Sequence, residues 1–383
     1  MFRVAALLLL GCACAGPGRT YPCDPTLGSC GGTVLPDGGV SGEPFISDPL
    51  LVWHSGAQDS AADSTPFANA VFAAFRHASA WSGDANGRIY VVRSQDQGRT
   101  WQKTAELLEP DLDPRQPRIF TFGGRLWILA TFWNTTDPTQ HQTSVRIAGS
   151  DDGNVWSPFA ELPGTDGLAA WRPRLAGAQA LLSIWAADEL FPGNSPTGFS
   201  LLSTSDCLAF SPAAPPPIGP GAREGDIVVR ASGERWMAIP ERSVYSSPDK
   251  LTFCHGSDWA CWSIQGLSVE GPALLEWNGI LYLAARRDTG SGVVRTSIWQ
   301  VLDEAQDVSP VADVTAGFGE TGGPSFAPLD DEHVLLVFHS TSRLDPAVAA
   351  LATDPTELQA EARGYATDVL AVSLFMPAAA AGR

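Results

Sequence analysis

Three observations predict an all-β fold, a propeller of six blades with four antiparallel strands each. The composition suits many short strands joined by turns: 38 Gly, 30 Pro and 13 Trp in 383 residues, 44% hydrophobic and only 17% charged. Extended apolar runs are joined in pairs by Gly- or Asp-centred turns over most of the chain. These pairs recur in phase, because Pro117, Pro173, Ile227, Pro272 and Pro324 open successive units and stand 56, 54, 45 and 52 residues apart. A period of about fifty residues with about four strands is what a blade requires. An earlier unit from Phe67 to Trp101 brings the count to six, with five or seven as alternatives if the terminal segments pair differently.

In chain order, Met1-Phe2-Arg3 is a short basic start, and Val4 to Leu10 is an apolar run too short to cross a bilayer as a helix. The run ends in Leu9-Leu10-Gly11-Cys12, which resembles a bacterial lipobox: residues 1–11 would be removed and Cys12 lipidated. The alternative is an ordinary signal peptide cut at a small residue. With Ala13 and no acidic residue after the Cys, the outer membrane of the cell envelope is the expected address, periplasmic or surface-exposed. Residues 12–44, rich in Gly, Pro, Thr and Ser, read as the lipidated Cys and a flexible tether. Residues 45–377 carry the repeat, and 378–383 form a tail.

Within the repeat, 117–122 and 125–130 flank Gly123-Gly124, and 227–230 and 235–239 flank Ser232-Gly233. Likewise 273–276 and 280–284 flank Asn278-Gly279, and 325–328 and 334–338 flank Asp330-Asp331. Small turn residues between short apolar runs are strong hairpin signals. Thr367 to Phe375 is expected to pair with the first strands, near Leu50 to Trp53, and close the ring. Asp345 to Glu361 is the one stretch expected to be helical, as an insertion in the last blade.

The clearest motif is Ser94-Gln95-Asp96-Gln97-Gly98-Arg99-Thr100-Trp101, which fits the Asp-box pattern S-x-D-x-G-x-T-W at every fixed position. The carboxylate of Asp96 can accept backbone N–H groups in a tight turn, Gly98 supplies a positive φ, and Trp101 tucks its ring between strands. A second copy, Gly149 to Trp156, keeps Asp151, Gly153 and Trp156. Ser205 to Phe210 and Pro248 to Phe253 share a shorter form, Asp-x-Leu-x-Phe. These are structural turns, so Asp96 and Asp151 are set aside as chemical candidates.

Charge and cysteines bound the partners and the compartment. A formal charge of −18 repels phosphate backbones and argues against nucleic acid. Seven Cys fit an oxidising compartment: Cys23 with Cys30, and Cys254 with Cys261, are close enough for small-loop disulfides. Cys14 and Cys207 have no obvious mate. No CxxC spacing supports zinc and the six His are scattered, so neither a metal nor a cofactor is expected.

Over about residues 45–377 these motifs resemble the sialidase (neuraminidase) superfamily, most closely its six-bladed bacterial members. Asp113-Pro114-Arg115-Gln116-Pro117 is similar to a D-x-R-D-P signature, with Gln116 in place of the second acid. Trp171-Arg172 is similar to a W-R pair in the third blade, Glu224-Gly225-Asp226 to the acid opening the fourth, and Arg242 to the Arg closing its hairpin. Gly271-Pro272 and Arg287 repeat that layout in the fifth blade, and Gly319-Glu320-Thr321 opens the sixth. The resemblance implies that Arg115, Arg172, Arg242 and Arg287 converge to bind a carboxylate or sugar hydroxyls. It also implies Glu224, Asp226, Glu270, Glu320 and Asp113 as candidate catalytic carboxylates for a glycosidic bond. The Arg-Ile-Pro triplet of a working sialidase does not occur, and no Tyr stands near Glu320. Two functions follow: a glycoside hydrolase acting on glycans through a carboxylate acid/base and an Arg-lined pocket, or a non-catalytic glycan- or protein-binding propeller on the envelope.

Overall fold

The computed structural model describes residues 45–79, 84–136, 142–187, 198–219, 221–241, 250–288, 293–318, 321–341 and 367–376, with the backbone of 23–24 and 29–30. Six antiparallel sheets follow one another along the chain and form a six-bladed β-propeller; no α-helix occurs among the described residues. The innermost strands, in blade order, are Gln58–Phe67, Leu112–Phe122, the broken strand Leu168–Ala170 and Arg174–Ala176, Asp226–Val229, Val269–Trp277 and Thr321–Pro328. The sixth blade is completed by the start of the chain. Asp368–Phe375 pairs antiparallel with Leu50–Trp53 and Phe45–Ile46, with Leu370 opposite Leu51 and Phe375 opposite Phe45. This closure leaves six blades, not five or seven. The expected helix from Asp345 to Glu361 lies outside the described residues.

Second strands such as Arg125–Asn134 (RLWILATFWN) are buried on both faces, because a blade is packed against a neighbour on each side. The core is therefore divided into wedges between blades. Tyr282, Ile298, Phe326, Leu336 and Phe338 fill the wedge between blades 5 and 6. Phe72, Ile89, Leu126, Ile128 and Phe132 fill the one between blades 1 and 2.

Each inner strand is interrupted at the same level. Ala61, Gln116, Glu224, Gly271 and Gly323 take positive φ angles of 56°, 49°, 51°, 60° and 55°, and the residue after each is Ala62, Pro117, Gly225, Pro272 or Pro324. In blade 3 the strand breaks outright across Trp171-Arg172-Pro173. Pro is tolerated here because an inner strand is an edge strand facing the axis. The proline phase marks thus record a bulge, and the matching residue in blade 4 is Gly225 rather than Ile227.

Turns between third and fourth strands lie at the opposite face. In blade 1, Asp96 accepts the Thr100 N–H at 2.9 Å and its hydroxyl at 2.6 Å. The Ser94 hydroxyl accepts the Gly98 N–H at 2.8 Å, and the Trp101 indole donates to Gly98 O at 3.0 Å. In blade 2 the carboxylate in this role is Asp152, not Asp151. Asp152 accepts the N–H groups of Asn154 and Val155 at 2.8 and 3.0 Å, Gly153 N donates to Ser150 Oγ, and the Trp156 indole donates to Gly153 O. This turn is one residue shorter between Asp and Gly, and that shifts the working carboxylate. Asp151, 79% exposed, pairs with Arg125 on the surface. In blade 3, Asp206 caps Leu208 and Ala209, and Cys207 occupies the glycine position at φ 61°.

Blade 4 departs from the expected turn at Pro248 to Phe253. Lys250–His255 is its third strand, and its turn follows at 256–259. There a Cys254–Cys261 disulfide joins the two strands where blades 1 to 3 use a carboxylate. Cys207 is a buried free thiol whose pKa burial pushes up to about 12. Cys23 lies opposite Cys30 in a two-residue ladder. Cys12 and Cys14 lie outside the described residues.

Candidate functional site

All six inner strands begin at one face, here the entry face, and end at the turn face. The residue following each bulge sits at the axis: Asp63, Arg118, Arg174, Asp226, Ala273 and Ser325 in blade order. Four of these six are charged, and together with Arg172 they seal the channel. Arg172 donates from Nε to Asp63 at 2.8 Å, from Nη1 to Pro272 O at 3.3 Å and from Nη2 to Pro324 O at 2.9 Å. Its Nη1 also lies 3.5 Å from Asp226. Asp63 accepts Ile119 N at 3.1 Å. Arg174 grips both oxygens of Asp226 at 3.0 and 2.7 Å, and Leu274 N donates to the same carboxylate at 2.6 Å. One connected network therefore touches all six blades. Burial pushes the Asp226 pKa up, but Arg174 and Arg172 outweigh it and hold the carboxyl below its ordinary range.

This placement corrects two expectations. Asp226 and Arg172 are buried with their charges committed to protein partners, not open at the mouth. Inside the plug Arg172 is paired chiefly with Asp63, and Asp226 with Arg174.

Just above the plug lies Trp171. Its indole donates to Pro272 O at 3.0 Å, across the axis from its own blade. A Cβ at Gly271 would stand 3.4 Å from this ring, so glycine there suits both the positive φ and the close approach. The Arg118 guanidinium stacks on Trp171, 3.6 Å from the ring centroid. Arg118 is 1% exposed, and neither its Nε nor its Nη1 has a hydrogen-bond partner. Burial, and then the adjacent Arg172, lower its pKa to about 9. An unpaired buried cation is costly. Here the nearby acids Asp63 and Asp226 are committed to Arg172 and Arg174.

Toward the entry face, Glu224 accepts Gly271 N at 2.8 Å and the Gln116 side-chain amide at 3.1 Å. Glu270 is held between Arg223 at 2.9 Å and Arg286 at 2.7 Å. Asp113 is fully buried and gripped on both oxygens by Arg76 at 2.7 and 3.0 Å, with Arg115 Nη1 3.6 Å away. The structure thus sets Glu224 and Glu270 in neighbouring blades, Glu224 accepting the N–H next to Glu270, while Arg115 stands beside Asp113, which is corrected to a sealed ion pair with Arg76. Arg287 alternates with Arg286 along its strand and so points to the other side of the sheet; among the described residues it makes no ion pair. Glu320 and Arg242 lie outside the described residues.

Sequence reading missed Arg118, Arg223 and Arg286. Arg118 was discoverable, since it follows Pro117 in phase with Arg174 after Pro173 and Asp226 after Gly225. Arg286 was not, because choosing it over Arg287 requires strand register. At the rim between blades 1 and 6, Asp59 accepts from the His77 ring nitrogen at 2.7 Å and from Ser55. Burial raises the Asp59 pKa more than these hydrogen bonds lower it. His339 Nδ1 accepts Ala61 N at 3.1 Å and so caps the first bulge.

No family model and no curated protein matches the chain. Solved structures share the fold. A Dyadobacter fermentans protein of unknown function aligns at 14% identity and TM-score 0.67, over 87% of this chain and 99% of its own. A Hadza microbial sialidase aligns at 13% identity and TM-score 0.57, over 77% and 66%. The Trypanosoma rangeli sialidase in complex with the inhibitor DANA aligns at 12% identity and TM-score 0.54, over 85% and 57%. At these identities the likeness is one of fold.

Proposed function

We propose that this chain is an exported, lipid-anchored Asp-box propeller of the sialidase-like kind that binds a glycan bearing an acidic group at its entry face, without hydrolysing it. Arg118 carries this reading. Its unpartnered donors, stacked on an indole one step below Gln116 and Glu224, suit a carboxylate, and Arg223 and Arg286 add positive charge nearby. A solved T. rangeli sialidase of this fold holds the inhibitor DANA, which supports a carbohydrate ligand. Binding is favoured over hydrolysis because a two-carboxylate glycosidase needs one carboxyl poised as an acid and a second one free, while the Tyr expected of a working sialidase has no counterpart near Glu320. Here Glu224, Glu270 and Asp113 are each engaged by two hydrogen bonds or more. The hydrolase reading keeps two observations in its favour, the adjacency of Glu224 and Glu270 in neighbouring blades and the rim carboxyl of Asp59, whose pKa burial raises.

A glycan array and a panel of aryl glycosides separate the two. Binding to acidic glycans is expected, weakened at least about tenfold in Arg118→Met by loss of a charge-assisted fork, with no aglycone released. Turnover that disappears in Glu224→Gln would replace binding by hydrolysis. Export is supported by Leu9-Leu10-Gly11-Cys12 and by the Cys254–Cys261 disulfide, which fits an oxidising compartment. Cys12→Ser should move the protein from the membrane fraction to the soluble one; continued membrane fractionation would refute lipidation.

A further inference from the structure

We infer that the axial cavity at the turn face is a second binding site, for a small hydroxycarboxylate. Its volume is about 250 Å³, room for roughly eight waters at ~30 Å³ each or one molecule of monosaccharide size. Every inner strand contributes to the wall: Thr65, Phe120, Arg174, Val229, Glu276 and Phe326 come from blades 1 to 6 in turn. The buried Arg172 network and Trp171 separate this cavity from the entry face, so it is a distinct site rather than the far end of the first.

The chemistry of the floor selects the ligand. Arg174 spends Nε and Nη2 on Asp226, and Nη2 also donates to Leu274 O at 3.3 Å. Its side chain keeps 24% of its surface exposed. Nη1, with two N–H groups, is left for an oxygen in the cavity. Asp226 holds the guanidinium in the charged state, raising its pKa against the effect of burial. At the wall, Glu276 is occupied by Arg230 at 3.1 Å and Ala231 N at 2.6 Å, so its charge is neutralised and does not repel an anion. The inner strands are also sheet edges, and beyond the floor groups already bonded (Ser64 N, Ile119 N, Leu274 N and O) their axis-facing N–H and C=O groups suit hydroxyls. A carboxylate on Arg174 Nη1 with hydroxyls toward those edges satisfies both kinds of group. A purely apolar acid would leave the edges unmet.

Calorimetric titration of the full chain with sodium glucuronate tests this, using the Arg118→Met background to remove any contribution from the entry face. Saturable one-site binding is expected in that background. Val229→Phe, which fills the cavity without touching the charge network, should weaken it at least about tenfold at unchanged melting temperature. Arg174→Lys keeps a charge but cannot both pair with Asp226 and offer the Nη1 donors to the cavity, and should weaken it similarly. No heat of binding in the Arg118→Met background would overturn the site. So would binding that survives Val229→Phe. Loss of acidic-glycan binding at the entry face alone, with glucuronate still bound here, would bear on the proposed function and not on this cavity.

Discussion

Asp151 and Asp152 are adjacent, identical in type and different in effect. Asp152 is held down to about 2 by the N–H groups of Val155 and Asn154, while Asp151 only pairs with Arg125 at the surface. A lowered folded pKa contributes stability above the unfolded value, near 3.8, and that contribution is lost as pH falls through about 2. Asp152→Ala should therefore lower the melting temperature at neutral pH and Asp151→Ala should not, and the gap should close in melts taken toward pH 2. Asp59 has the opposite sign. Its folded pKa is raised by burial, so its contribution is complete below the unfolded value and declines as pH rises through the folded one. Neither distinction could be read from residue type. Asp151 matched the written motif better than Asp152 did, and only the hydrogen bonds identify the carboxylate that caps the turn.

At the scale of elements, most of the fold was legible. Hairpins such as 117–122 with 125–130 announce themselves because apolar runs and Gly-rich turns alternate at short range, and local physics decides them. Two features were not legible. Asp249-x-Leu-x-Phe imitates the blade 3 turn, yet Lys250–His255 is a strand and its turn is stapled by Cys254–Cys261 instead. A disulfide across so short a loop stabilises by about 2–3 kcal/mol through the unfolded state. Replacing both cysteines by Ser should lower unfolding free energy by that amount in denaturant titrations, and an unchanged midpoint would show blade 4 to be held by packing alone. The inner-strand bulges were visible only as prolines. That they present Asp63, Arg118, Arg174 and Asp226 to one axis depends on the strands lying side by side.

Across the whole molecule, one buried guanidinium does what no single blade can. Arg172 joins blade 3 to blades 1, 4, 5 and 6, and Asp63 extends the network to blade 2. Arg172→Met would leave Asp63 and Asp226 buried with fewer partners, a loss of about 3–5 kcal/mol by the usual cost of breaking a buried pair. Equilibrium denaturation should show that loss in a single cooperative transition. A variant as stable as the parent would mean that the ring is held by its apolar wedges and its closing strand alone. The chain's own pattern determined the all-β class, the blade period, the hairpins and the closing strand, since each rests on apolar spacing and turn chemistry within a few residues. Tertiary structure alone decided which charges are spent in the plug and which remain for a ligand. Asp226 and Arg172 looked like site residues and are consumed, while Arg118 was passed over and is left unpaired. Burial and pairing of a charge depend on groups a hundred residues away in sequence, as Arg172 with Asp63 shows, and no local pattern contains that information.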